Sequence, residues 1–132
     1  MTNAAVLHTE RRASAYRLVR TTQLAGDLAT VFAFFKDPRN LETITPPWLG
    51  FRITSTSDAV MRSGTRIRYR LRLNGIPMSW ESRITEFVEN SHFADEQITG
   101  PYSLWYHRHS FRTVDGGVEM TDDVVYRLPF GP

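Results

Sequence analysis

The chain of 132 residues has the length of one domain with a single hydrophobic core. It contains no cysteine, which excludes disulfides and thiolate chemistry, and its 16 basic and 14 acidic residues are interleaved, which disfavours a nucleic-acid partner. The N-terminal region has several arginines but no apolar run long enough for a signal peptide, and no later stretch is long enough to span a bilayer. We therefore expect a cytoplasmic protein.

The N-terminal region is expected to contribute one strand to the domain. Residues 1–13 are interpreted as a flexible arm, so the domain itself is expected to occupy residues 14–132. The β-prone run from Tyr16 to Leu24 predicts the first strand.

Two short helices are predicted after this strand. Asp27 is a favourable helix cap, and apolar residues recur behind it at helical spacing, on a face that we expect to lie in the core. These residues are Leu28, Val31, Phe32 and Phe35. The dipeptide Asp37-Pro38 ends this helix and begins a second helical turn through Leu41, which is ended by the proline-rich segment 45–48.

From Phe51 onward the pattern has a period of two, and turn residues divide it into five or six strands, which favours a meander. The strongest turn is Asn74-Gly75, because a two-residue loop there sets Leu73 opposite Ile76. One face of this hairpin is then apolar, with the pairs Leu71–Met78, Tyr69–Trp80 and Ile67–Ser82. The other face carries arginines, pairs Arg68 with Glu81, and is expected to meet water.

The last hairpin is predicted in the same way, because a loop at Asp115-Gly116 sets Val114 opposite Gly117. On one face the pairs are then Phe111–Met120, His109–Asp122, His107–Val124 and Trp105–Tyr126. The other face pairs Arg112 with Glu119 and Arg108 with Asp123. Since a slip of one residue would destroy both charge pairs, they independently support this register.

The junction between the two hairpins is less well defined. A turn at Gly100-Pro101 predicts the pairs Gln97–Trp105, Asp95–His107 and Phe93–His109. The same alignment brings Glu86 near Asp95 on the inner face, which is costly unless a β-bulge intervenes or the two acids share a proton.

A polar patch is therefore predicted within an apolar inner face. The histidines at 107 and 109 are either structural, each hydrogen-bonded to a carboxylate, or they orient a ligand in an apolar cavity. Acid–base catalysis by a His–Asp pair is compatible with the same residues. A metal site is geometrically feasible. In the predicted register, however, the carboxylates are hydrogen-bonded to the histidines, so we expect no metal.

The candidate ligand-binding residues combine this patch with the aromatic and apolar inner face. They are Trp48, Tyr69, Leu71, Met78, Trp80, Asp95, Gln97, Trp105, His107, His109, Phe111, Met120, Asp122 and Tyr126. Trp48 is expected either to lie over one mouth of the pocket or to plug the core. The chain lacks a glycine-rich phosphate loop, and no cofactor is expected.

Several stretches resemble the START-like superfamily of ligand-binding domains, also called SRPBCC, which includes polyketide aromatase/cyclases and lipid-transfer domains. The matching motifs lie at Val31-Phe32 through Leu41, at Ile44 through Leu49, and at Gly100-Pro101-Tyr102-x-x-Trp105-x-His107-x-His109-x-Phe111, followed by Met120-x-Asp122-x-Val124-x-Tyr126. They are similar to one bacterial branch, whose members occur alone or fused to epimerase-like nucleotide-binding domains. The resemblance covers residues 16–132.

The resemblance implies an α+β helix-grip fold, in which a curved antiparallel sheet with two short helices and a long C-terminal helix encloses a ligand. The sequence ends at Phe130-Gly131-Pro132, where that helix is expected to begin, so we expect the domain to be C-terminally incomplete in this chain. The concave face is then expected to be covered by a C-terminal helix lost to truncation or disorder, by a neighbouring subunit or by a separate partner domain, and we favour truncation with a compensating homodimer contact. The expected function is binding of a hydrophobic or aromatic small molecule, such as a lipid, quinone or polyketide. The alternatives are a cyclase or dehydratase that uses a His–Asp pair, and an accessory domain of a nucleotide-binding, epimerase-like partner.

Overall fold

Within the described residues, one antiparallel sheet of eight strands forms the frame of the protein. The computed structural model describes residues 2–12, 15–44, 48 and 50–128, so the predicted loop at 45–47 and the chain end at 129–132 lie outside the described residues. The elements are β1 (Thr2–Arg12), β2 (Ala15–Leu24), α1 (Leu28–Phe35), α2 (Asn40–Ile44), β3 (Arg52–Thr56), β4 (Arg66–Leu73), β5 (Ile76–Val88), β6 (His92–Thr99), β7 (Leu104–Val114) and β8 (Gly117–Arg127).

The six strands after the helices form the predicted meander, and β2 pairs with the last of them. The order across the sheet is β1-β2-β8-β7-β6-β5-β4-β3, and every neighbouring pair is antiparallel. Pairing of β2 with β8 brings the first part of the chain beside its last strand, so the two segments share one inner face.

The N-terminal segment differs from the prediction. Residues 2–12 were expected to form an arm outside the domain, but they form edge strand β1 and pair with β2 from Thr2–Leu24 to Arg12–Ala15. This pairing uses backbone hydrogen bonds, which do not require an alternating pattern of apolar side chains. The sequence pattern therefore gave no indication of it.

Helix α1 packs against the sheet on the predicted face. The carboxylate of Asp27 accepts a hydrogen bond from the Thr30 backbone N–H at 2.9 Å, which satisfies one of the free donors at the helix start. Val31 and Phe32 are buried, and the Phe32 ring meets Phe111 edge-on at 5.2 Å between centroids. The core thus lies between α1 and the sheet.

Both predicted hairpin registers are confirmed. Asn74 and Gly75 adopt φ values of 53° and 79°, the left-handed conformation that a tight hairpin loop needs. The predicted pair beside this loop and the three predicted pairs on the apolar face of β4 and β5 all occur. All seven predicted pairs of β7 and β8 also occur as partners in the strand register. The predicted charge pair of Arg108 with Asp123 does not form among the described residues: Asp123 binds Arg17 at 2.7 Å, and Arg108 Nε lies 3.8 Å from Glu86. On the outer face, Arg68 Nε donates to Glu81 at 2.7 Å and Arg112 Nε donates to Glu119 at 2.7 Å.

The predicted conflict between Glu86 and Asp95 is resolved by a β-bulge. The register of β5 and β6 shifts between Ile84, which faces Asp95, and Glu86, which faces Ala94. The Glu86 carboxylate accepts a hydrogen bond from the Tyr106 hydroxyl at 3.1 Å and lies 3.6 Å from His92. The bulge therefore leaves Asp95 as the inner-face acid of this pair of strands.

Candidate ligand-binding site

A cavity of about 850 Å³ lies on the inner face of the sheet, beside α1 and α2. Strands β2 and β4–β8 line most of it, and the helices add Phe34, Phe35 and Leu41. Most of the lining side chains are apolar or aromatic. The charged or ionisable lining groups, apart from tyrosine, are Arg20, Asp95, His107, His109 and Asp122.

Aromatic rings form a continuous wall at one end of this cavity. Tyr69 stacks on Trp80 with ring centroids 5.7 Å apart, and Trp80 meets Trp105 edge-on at 5.3 Å. Tyr102 packs on Trp105 at 4.9 Å, and Phe51 packs on Tyr69 at 4.7 Å. These rings come from β4, β5 and β7 and from the residues flanking β3 and β7, so the tertiary fold assembles the wall.

The hydroxyl group of Ser82 contacts both central residues of the wall, Tyr69 and Trp80. The indole N–H of Trp80 donates to Ser82 Oγ at 3.1 Å, and the Tyr69 hydroxyl lies 3.3 Å from the same oxygen. Burial raises the pKa of Tyr69 well above its usual value, and the negative charge of Asp95 adds to the effect. Tyr69 therefore stays a neutral phenol at physiological pH.

The second part of the cavity is a cluster of two histidines and two carboxylates, which we call the His–Asp cluster: Asp95, His107, His109 and Asp122. The imidazole rings of His107 and His109 stack with centroids 3.7 Å apart. His107 Nε2 donates to Asp122 Oδ1 at 2.9 Å, and His109 Nε2 donates to Asp95 Oδ2 at 2.9 Å. His109 Nδ1 also lies 3.3 Å from Asp122 Oδ1.

His109 is held in its charged form by this arrangement. Burial by itself would lower the pKa of His109, but hydrogen bonds to Asp122 and Asp95, together with their negative charges, outweigh burial and raise the pKa to about 9. Burial would likewise raise the pKa of Asp122, but hydrogen bonds from both histidines hold that pKa well below its usual value. The pair is therefore ionic at neutral pH.

The pairing within the cluster differs from the simplest prediction. Register places His107 opposite Asp95, and the expected partners were Asp95 for His107 and Asp122 for His109. The short contacts instead run diagonally, from His107 to Asp122 and from His109 to Asp95, and only the longer His109 Nδ1 contact to Asp122 follows the register. Diagonal neighbours on one face of a sheet lie within reach of long and aromatic side chains.

Three of these residues also have a geometry compatible with a metal ion. One ligand atom each of Asp95, His107 and His109 lie within 4.8 Å of one another. Imidazole and carboxylate donors on one face suit a divalent transition metal. In this structure, however, the Nε2 atoms of both histidines donate to carboxylates, so a metal would have to replace those hydrogen bonds.

Nine of the fourteen candidate residues line the cavity: Tyr69, Leu71, Trp80, Asp95, Trp105, His107, His109, Met120 and Asp122. The other five lie outside its lining. Trp48 is 80% exposed and lines a separate surface depression with Arg52, Arg70 and Arg72, so it neither covers the cavity nor plugs the core. Phe111 is buried in the core against α1.

The remaining three candidates, Met78, Gln97 and Tyr126, are also absent from the lining. Tyr126 stacks on Tyr16 with centroids 5.5 Å apart. Gln97 holds the turn before β7, because its Nε2 donates to the Tyr102 carbonyl at 2.6 Å and its Oε1 accepts from the Tyr102 N–H at 3.2 Å. Gln97 thus does not line the cavity but positions Tyr102, which does.

Sequence reasoning missed the contribution of β2. Leu18, Arg20, Thr22 and Leu24 alternate along this strand and line the cavity. They face β8 at Val124, Asp122, Met120 and Val118. No short loop joins β2 to β8, so no turn signal predicted this register; the alternation of these four residues was the signal present in the sequence.

None of the helices among the described residues is long and apolar enough to cross a membrane.

Solved structures with similar folds are known. Protein Ms6760 from Mycobacterium smegmatis is 19% identical, with a TM-score of 0.67, and the match covers 94% of this chain and 80% of that chain. Ginseng major latex-like protein 151 from Panax ginseng is 14% identical, with a TM-score of 0.68 and coverages of 89% and 82%. CalU16 from Micromonospora echinospora is 11% identical, with a TM-score of 0.65 and coverages of 96% and 73%. No relative with a curated description matches the chain in sequence.

The curved antiparallel sheet, the two short helices and the cavity between them define a START-like, helix-grip domain of the SRPBCC superfamily, as the resemblance implied. A family model described as polyketide cyclase / dehydrase and lipid transport matches residues 24–132. The chain belongs to this family.

Proposed function

We propose that this protein binds a largely apolar, aromatic small molecule in the cavity beside α1 and α2. The observation that carries the proposal is the aromatic wall around Trp80 and Trp105 in a cavity of about 850 Å³. A cavity of this size is within the usual range of roughly 300–1,000 Å³ for small-molecule sites, and apolar walls with few polar groups are typical of them.

The geometry of the wall favours a planar ligand. Tyr69 and Trp80 are nearly parallel, at 18° between ring planes, whereas Trp105 is nearly perpendicular to Trp80, at 89°. A flat ring placed against such a corner makes a stacked contact with one side and an edge contact with the other, both of which are favourable aromatic geometries. The His–Asp cluster then supplies the polar groups that orient the ligand.

Intrinsic fluorescence provides the test. The protein has three tryptophans, of which Trp80 and Trp105 line the cavity while Trp48 is exposed. In a Trp48→Phe background, titration with flavonoids, quinones, sterols and fatty acids is expected to change the emission of the two remaining tryptophans. Trp105→Leu should weaken binding by about tenfold or more, the effect expected for losing a buried aromatic contact. If none of these compounds binds more tightly than about millimolar, the proposal is wrong.

A second candidate function is acid–base catalysis. It is favoured by a difference between His107 and His109 in the number of ring nitrogens that contact a carboxylate. Both ring nitrogens of His109 meet carboxylates, so this residue is fully engaged. His107 Nε2 is anchored by Asp122, while its Nδ1 has no hydrogen-bond partner among the described residues. A histidine that is oriented by a carboxylate and has a second nitrogen free in a cavity can exchange a proton with a bound substrate. His107 is therefore the proposed proton-transfer group, and His109 a positioning group.

The variant His107→Gln distinguishes catalysis from simple binding. With poly-β-ketone substrate analogues, catalysis predicts that this variant still binds but no longer accelerates cyclisation or dehydration, as followed by product absorbance. His92→Gln is the matched control, because His92 lies near Glu86 and does not line the cavity. If wild type and His107→Gln give the same background rate, the protein is a binder and not a catalyst.

We also propose that a second subunit covers the open side of the cavity. Among the described residues the helices contribute only Phe34, Phe35 and Leu41 to its lining, and a large apolar surface left in water is unfavourable. Sedimentation velocity is expected to show a dimer at micromolar concentration. A monomer with little binding of a hydrophobic dye would show that no such cover is needed.

A further inference from the structure

Among the residues that the structure describes, Arg20 is the one charged group of the cavity without a partner. The carboxylates and histidines of the His–Asp cluster bind one another. Arg20 lines the same cavity, but among the described residues it has no hydrogen bond and no ion pair. Its side chain therefore lines the ligand space with no partner in the part of the chain that the structure describes.

The acid opposite Arg20, Asp122, does not neutralise the charge of Arg20, because its carboxylate binds other residues. Arg20 on β2 lies directly opposite Asp122 on β8, and both side chains belong to the inner face. The Asp122 carboxylate, however, is turned to the two histidines, at 2.9 Å from His107 and 3.3 Å from His109. The Arg20 side chain is exposed to solvent and lines the cavity.

We propose that the ligand is a carboxylic acid whose carboxylate binds Arg20 while its ring system packs on the aromatic wall. This inference rests on the proposed binding function and adds the chemical class of the ligand. A purely apolar ligand that covered Arg20 would remove water from an unpaired charge, which is costly. A carboxylate avoids that cost, because the planar guanidinium group can donate two parallel hydrogen bonds to it.

The neighbouring acids do not prevent an anion from binding. His109 is charged at neutral pH and lies between both carboxylates of the His–Asp cluster, so it offsets part of their negative charge. Arg20 binds the charged end of the ligand, while the aromatic wall packs on its apolar end. The site therefore fits an amphipathic aromatic acid better than a neutral hydrocarbon.

The test compares 2-anthracenecarboxylate with its methyl ester, which has the same rings but no charge. Affinities are measured by fluorescence titration and calorimetry for wild type, Arg20→Met, Arg20→Lys and Arg83→Met. Arg83 is the control, because it is an exposed arginine on the outer side of β5 and its replacement changes the net charge equally. Wild type is expected to bind the acid about tenfold more tightly than the ester, the effect of one charge-assisted contact near solvent.

Arg20→Met should remove this preference by weakening the acid alone, Arg20→Lys should retain part of it, and Arg83→Met should leave it unchanged. Urea unfolding checks that each variant is folded. Equal binding of acid and ester by wild type, or equal weakening of both by Arg20→Met, would overturn the inference while leaving the binding function intact. If neither probe binds to wild type, the proposed binding function fails, and this inference fails with it.

Discussion

Replacing Asp122 by asparagine tests whether the His–Asp cluster is ionic, because asparagine keeps the shape of the side chain and removes its charge. The side chains of His109 and Asp122 are only 14% and 18% exposed, so solvent screens their interaction little. The pKa of His109 is raised from 6.5 to about 9. At about 1.4 kcal/mol per pKa unit, the charged form of His109 contributes roughly 3 kcal/mol to stability.

This contribution has a defined pH window. Because the pKa of His109 is higher in the folded state, its contribution is fully present below about pH 6.5, where the unfolded chain is also protonated, and is lost as the pH rises through about 9. Asp95 still contacts His109 in the variant, so Asp122→Asn removes only part of the stabilisation. We expect a loss of about 1–3 kcal/mol at pH 6, and a loss smaller by at least about 1 kcal/mol at pH 9.5.

Urea unfolding followed by tryptophan fluorescence at both pH values measures these differences. Asp123→Asn is the matched control, because the neighbouring Asp123 accepts two hydrogen bonds from Arg17, at 3.0 and 2.7 Å. Arginine does not titrate in this range, so the loss from Asp123→Asn should be the same at both pH values. A loss from Asp122→Asn that is also independent of pH would refute the ionic assignment of His109.

Four further outcomes are expected. Phe32→Ala should lower the free energy of unfolding by about 3–5 kcal/mol in urea titrations, because this ring is fully buried between α1 and the sheet. Asp27→Ala should lower the urea midpoint in the same assay, because it removes the N-cap of α1. Gly116 and Gly117 both have positive φ values, so alanine strains the backbone at either position. Gly117→Ala should lower the melting temperature more, because only there does an added Cβ meet the Leu24 carbonyl; a smaller effect at 117 than at 116 would contradict the close β2–β8 contact. Protein purified without an affinity tag should contain no stoichiometric metal, and elemental analysis that finds one zinc or iron per chain would reassign the His–Asp cluster.

The sequence predicted those parts of the fold that short-range chemistry determines. Both hairpin registers follow from two-residue loops, at Asn74-Gly75 and Asp115-Gly116, and the outer charge pairs Arg68–Glu81 and Arg112–Glu119 confirm them. The N-cap at Asp27 and the buried face of α1 follow in the same way from residues a few positions apart. Because these registers place the aromatic and polar residues on one face, most of the candidate cavity residues were also predictable.

The tertiary structure determined the features that depend on segments far apart in the chain or on side-chain orientation. No loop sets the pairing of β2 with β8, so no sequence signal places Arg20 opposite Asp122. Strand register defines which Cα atoms are opposite, but side-chain orientation decides the hydrogen bonds, which run diagonally from His107 to Asp122 and from His109 to Asp95. The sequence by itself thus determined which residues face the cavity from each hairpin, whereas packing across the sheet decided which of their charges are paired and left Arg20 without a partner among the described residues.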